Sequence, residues 1–103
     1  MSNWATLDDE NNVVISTDIN KTMASWVDSR RFVAQETAGD YMVSTVFLGI
    51  DLGFDGPPMW FETMLFGEGL PLDREYDRCT TWDEALAMHR RWVQIAIDGD
   101  HPL

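Results

Sequence analysis

His89, Glu62 and Asp51 are the residues whose types and placement can do chemistry in this chain. His89 falls on a helical apolar stripe with Ala85, Leu86, Trp92 and Val93, so its imidazole either fills a hydrogen-bonded core position or points into a site. Glu62 lies between Trp60 and Met64 at period two, which puts a carboxylate into an apolar row of a strand. A buried carboxylate is costly unless paired. The economical expectation is a structural Glu62–His89 pair across a sheet–helix interface, which needs no catalysis. Asp51, at the end of the preceding strand, extends this to an Asp/Glu/His set able to hold a divalent metal or perform acid–base chemistry. The spacing argues against such a site. There is no His-Glu-x-x-His, no His-x-His, and the other histidine, His101, lies in the tail. The expectation is no catalytic residue, no metal and no cofactor. A small metal-binding protein or hydrolase using Asp51, Glu62 and His89 is the alternative.

Other reaction classes find less support. Ser44 and Thr45 sit in a strand without a Gly-x-Ser-x-Gly elbow, and Cys79 has no base predicted beside it. Gly49, Gly53, Gly56, Gly67 and Gly69 form no phosphate-cradling motif. With 18 acidic residues against 7 basic and a net charge of −11, the chain has no basic stripe for nucleic acid. The acid excess is spread along the chain and not held in a tail, so the folded surface should be negative and steer the protein towards basic partners.

Two segments are candidates for such a contact. The loop after Asp51 joins acids to an apolar residue in Asp51, Phe54 and Asp55, and the turn near residue 70 does the same with Leu72 and Asp73. Read as a strand, 73–79 places Asp73, Glu75 and Asp77 on one side, about 6.6–7 Å apart from one to the next. That row could stand where phosphates stand on a nucleic acid. The expected partner is a host protein with a basic surface, without direct binding of nucleic acid or membrane.

These residues need elements to position them. At 103 residues, 45% of them hydrophobic, the chain reads as one α+β domain over 1–103, with an N-terminal arm at 1–17 and a short tail at 99–103. Trp4–Leu7 and Val13–Ile15, either side of a polar turn, suggest a short hairpin. Ile19, Met23, Trp26 and Val27 predict a short helix over about 19–28. Strands are expected over about 31–37, 41–50, 59–66 and 73–79. The second is nearly continuous in apolar character, as in a central strand covered on both faces. Ala38-Gly39-Asp40 reads as a three-residue turn. The short links make three to four strands a mostly antiparallel sheet. Thr81-Trp82-Asp83-Glu84 is a capping box and Gly99 a natural stop, so a helix over 82–98 should pack on the sheet through Trp82, Leu86 and Val93.

No apolar run approaches the ~20 residues of a bilayer-spanning helix. The first residues lack the basic and then apolar pattern of a signal peptide, and a lone Cys79 suits a reducing compartment. The expected location is cytoplasmic.

The strings Ser-Thr-Val-Phe-Leu-Gly-x-Asp (44–51), Gly-Pro-Pro (56–58), Phe-Glu-Thr-Met-x-Phe-Gly (61–67) and Thr-Trp-Asp-Glu-Ala (81–85), with His89, resemble a family of small uncharacterised proteins. Its members occur in phages, prophages and bacterial genomes, and the resemblance covers roughly residues 31–93. It implies a phage or prophage setting and names no particular activity. Charge and setting together lead to the expectation of a small acidic interaction protein. Its sharpest form is an inhibitor of a host nucleic-acid-binding protein, of the anti-defence or anti-CRISPR kind. A housekeeping or virion-associated phage role is the other reading.

Overall fold

The computed structural model of the chain describes residues 4–16, 20, 31–51 and 56–99. Their architecture is α+β: two antiparallel sheets and a C-terminal helix, Trp82–Asp98, packed on the larger one. Strands β1 (Trp4–Leu7) and β2 (Val13–Ser16) form the small sheet. Asp8 closes their turn by accepting the N–H groups of Glu10 and Asn12 at 2.9 and 2.8 Å. Strands β3 (Phe32–Ala38), β4 (Tyr41–Phe47), β5 (Phe61–Phe66) and β6 (Tyr76–Cys79) follow as a meander in that spatial order. The expected helix over 19–28 lies, apart from Asn20, outside the described residues.

Local chemistry explains several boundaries. Ala38 pairs with Tyr41, so the β3–β4 turn has two residues rather than three, and the irregularity sits at the other end, between Phe32 and Ala34. Gly39 has φ of 59° at the first turn position, and a Cβ there would lie 2.9 Å from the carbonyl oxygen of Ala96. Glycine is needed on both counts. The helix begins as its capping box requires: Glu84 N–H donates to Thr81 Oγ1 at 3.1 Å, and Thr81 N–H donates to Glu84 Oε1 at 3.0 Å. It ends at Gly99, whose φ is 70° and whose N–H reaches the Ile95 carbonyl.

The helix covers one face of the large sheet. Val43, Thr45 and Phe47 of β4 and Phe61, Thr63 and Leu65 of β5 are buried on that side. Met42 and Phe66, of opposite parity, are exposed, as are Phe32 and Tyr76. The central position of β4 is therefore as expected, but its apolar continuity does not mean two equally covered faces. The helix also sits rotated from its expected seat. Ala85, Met88, His89, Trp92, Ile95 and Ala96 are buried, whereas Trp82, Leu86 and Val93 are half-buried. Met88 and Ile95 take the central places because the stripe of apolar residues is wider than the strip of helix that meets the sheet.

The core is divided. One apolar cluster gathers Val43, Leu65, Leu72, Met88, Trp92 and Ile95. A second joins Ala5, Phe47, Trp60, Phe61 and Ala85, where the β1–β2 hairpin docks through Ala5 N–H to the Gly49 carbonyl at 2.9 Å. Thr45 and Thr63 are buried too and in sequence fall between the members of the two clusters on β4 and β5, and buried His89 follows Met88 on the helix.

Candidate functional site

A polar seam is built from four elements, β3, β4, β5 and the helix. Thr45 and Thr63 are register partners on β4 and β5, both fully buried, and their hydroxyls are hydrogen-bonded to each other. Thr45 Oγ1 also lies 2.7 Å from His89 Nδ1. His89, 4% exposed, reaches the Glu36 carboxylate of edge strand β3 with Nε2 at 2.9 Å. A single assignment satisfies every group. Thr63 donates to Thr45, Thr45 donates to Nδ1, and the Nε2 hydrogen goes to the carboxylate.

Glu36, His89 and Thr45 thus share the connectivity of an acid–imidazole–hydroxyl triad, but the hydroxyl is sealed in the core and bonded on both sides. A nucleophile must meet its substrate within bonding range. This arrangement fastens the helix to β3 and β4.

The expected Glu62–His89 pair is not formed. Glu62 belongs to the row with Met64 and Phe66, on the face away from the helix, and its Oε2 accepts the Arg78 Nε hydrogen at 2.9 Å across β5 and β6. The row of Phe61, Thr63 and Leu65 meets the helix instead. Asp51 sits beyond the end of β4 and accepts the Met59 N–H at 3.2 Å, ordering the chain around Pro57 and Pro58. Asp51, Glu62 and His89 therefore lie in three separate places. Among the described residues no three His, Cys, Asp or Glu side chains are grouped to hold a metal.

The expected acidic row is also dismantled. Strand β6 begins at Tyr76, so Asp73 and Glu75 precede it in a tight turn. Asp73 accepts the Gly67 N–H at 2.8 Å, Glu75 is exposed, and Leu72 is buried in the core with its N–H donating to the Tyr41 hydroxyl. Leu72 is no loop contact. Asp77 turns towards the helix, where its Oδ2 accepts from Arg91 at 2.7 Å and from Trp92 Nε1 at 3.2 Å. Phe54 and Asp55 lie outside the described residues.

Burial pushes the Asp77 carboxyl up, but the hydrogen bonds from Trp92, Arg91 and the Arg78 N–H together outweigh it and hold the group below its ordinary 3.8. A depressed folded value contributes stability above the unfolded value that is lost as pH falls through the folded one. The acid limb of the stability profile, below pH about 4, should therefore be shallower in Asp77→Asn than in the parent chain. Denaturant midpoints measured across that range test this, and parallel limbs would contradict it. Cys79 shows the opposite shift, to about 11, from burial and then the nearby Glu84 and Asp77. Its thiol stays protonated and weakly nucleophilic at neutral pH.

Sequence reasoning missed two features. One is Glu36 as the histidine's partner, for which the only signal was a charged residue in a strand. The other is the gathering of acids at one end of the molecule. The β3–β4 turn and the 67–75 turn are neighbours, since Met42 pairs with Phe66 and a Cβ on Gly67 would meet the Tyr41 ring. The helix C-terminus joins them, because Ala96 and Ile97 abut Gly39. Asp40, Glu68, Glu75 and Asp98 are exposed there, with Asp73 beside them and Arg74 the single base in the two turns. The last helical turn carries no basic residue, so the negative end of the helix dipole adds to the same pole.

Comparison of the chain with protein-family models, curated proteins and solved structures finds no match. No helix among the described residues is long and apolar enough to cross a membrane. What the structure establishes is an α+β chain with a sealed polar seam and an acidic pole.

Proposed function

We propose that this is a non-catalytic binding protein that engages a partner through that partner's basic surface. The acidic pole carries the reading: exposed carboxylates from two turns and a helix end converge, and none of Asp40, Glu68 and Glu75 is in an ion pair among the described residues. Uncompensated charge of one sign at one end of a small protein attracts opposite charge over a Debye length, ~8–10 Å at physiological salt. In the phage or prophage setting that the motif resemblance implies, the partner is a host nucleic-acid-binding protein, and the carboxylates occupy its phosphate-binding surface. An anti-defence inhibitor of the anti-CRISPR kind works in this way.

Affinity capture from a host lysate tests the proposal. The parent chain is compared with a variant carrying Asp40→Asn, Glu68→Gln, Glu75→Gln and Asp98→Asn. A basic partner should be retained at about 50 mM salt, released by about 300 mM, and held at least ~tenfold more weakly by the variant. The thermal midpoint should stay nearly unchanged, because exposed charges contribute little to stability. Capture that ignores both salt and the substitutions would refute the reading.

A further inference from the structure

At the opposite end of the molecule, the β1–β2 turn, the segment before β5 and the start of the helix enclose a cleft of ≈ 460 Å³. We propose that this cleft binds a cationic peptide segment, taking an arginine or lysine side chain between Trp82 and the carboxylates of Glu10 and Asp83. The inference deepens the reading of a basic partner and rests on it.

Four observations support it. First, the lining is of one charge: among the described residues Glu10 and Asp83 contribute carboxylates without ion-pair partners, and no basic residue borders the space. Second, the walls include two indoles. Trp82 is half-buried and held edge-on by Phe61 at 6.1 Å, and aromatic faces attract guanidinium and ammonium groups. Third, Trp60 lines the cleft although only 3% exposed, so that wall is held by a residue set in the core. Fourth, Asn12 donates its side-chain N–H to Asp8, leaving its amide oxygen as an acceptor on the rim.

A helix N-terminus ordinarily attracts anions. Here that tendency is already met from within the chain. The Glu84 N–H is taken by Thr81 Oγ1 and the Ala85 N–H by the Thr81 carbonyl, while the Glu84 carboxylate folds back over Thr80 and Thr81. With Asp83 beside it, this end of the helix presents negative charge to the cleft.

The test follows the indole N–H resonances of the full chain by NMR, assigned through Trp60→Phe and Trp82→Phe. The probes are acetyl-Gly-Arg-Gly-amide and its citrulline counterpart, which has nearly the same shape without the charge. The arginine peptide should shift the Trp60 and Trp82 signals saturably. The citrulline peptide should bind at least ~tenfold more weakly, and raising salt from about 20 to 200 mM should narrow that difference. Glu10→Gln with Asp83→Asn should abolish the preference while the remaining indole signals stay in place, which shows the fold intact. Equal binding of both peptides, or no saturable shift at the two indoles, overturns the proposal. The acidic-pole variant separates the two claims. If it loses the lysate partner while the arginine peptide fails in the cleft, the cleft proposal falls and the basic-partner reading stands. If the peptide binds the cleft but lysate capture ignores salt and the pole variant, the basic-partner reading falls instead.

Discussion

Phe61→Ala is expected to cost about 3–5 kcal/mol, the range for removing a fully buried aromatic ring and leaving a partly collapsed cavity. Phe61 has no exposed surface and touches two further rings, Phe47 at 5.4 Å and Trp82 at 6.1 Å with interplanar angles of 56° and 81°. Such tilted and edge-on pairs add about 0.5–1.5 kcal/mol each beyond burial. The same substitution five residues on, Phe66→Ala, should stay within about 0.5 kcal/mol, because that ring stands exposed on the face away from the helix. Urea denaturation of both variants reads the contrast directly. Similar losses at the two positions would mean that the wrong face of β5 has been assigned to the core.

His89→Ala should cost about 2–4 kcal/mol, combining a core cavity with buried hydroxyls that lose their partner. Without the imidazole, the paired Thr45 and Thr63 hydroxyls have one acceptor too few for their two hydrogens, and the helix loses its hydrogen-bonded tie to β3. Glu36→Gln should cost under about 1 kcal/mol, since its amide oxygen still accepts from Nε2 and the side chain is half in solvent. A double-mutant cycle identifies the histidine's partner. Coupling between His89→Ala and Glu36→Ala, which removes the hydrogen bond, should be about 0.5 kcal/mol or more, whereas His89→Ala and Glu62→Ala should add within about 0.3–0.5 kcal/mol. The reverse pattern would restore Glu62 as the partner.

Several elements were legible in the sequence because their signals are local. Thr81, Glu84 and Gly99 mark the ends of the helix through hydrogen bonds spanning three or four residues, and the structure places them as the capping chemistry requires. The strand order followed from link lengths, since short links force antiparallel neighbours. Fold class and strand sequence were thus determined by contacts near in the chain.

The candidate site depended on information of another kind. Alternation states that Glu62 and Met64 share a face and that Phe61, Thr63 and Leu65 share the other, but both rows mix apolar and polar residues. Only the helix, packed on one side, decides which row is buried, and so it decides that Glu62 meets Arg78. The partner of His89 lies 53 residues away, across a helix-on-sheet crossing whose rotation no local hydrogen bond fixes. The acids show the same division. Composition determined that the surface would be negative. The meeting of two turns and a helix end decided where that charge gathers, because a charge field is set by distances in space and not by order along the chain.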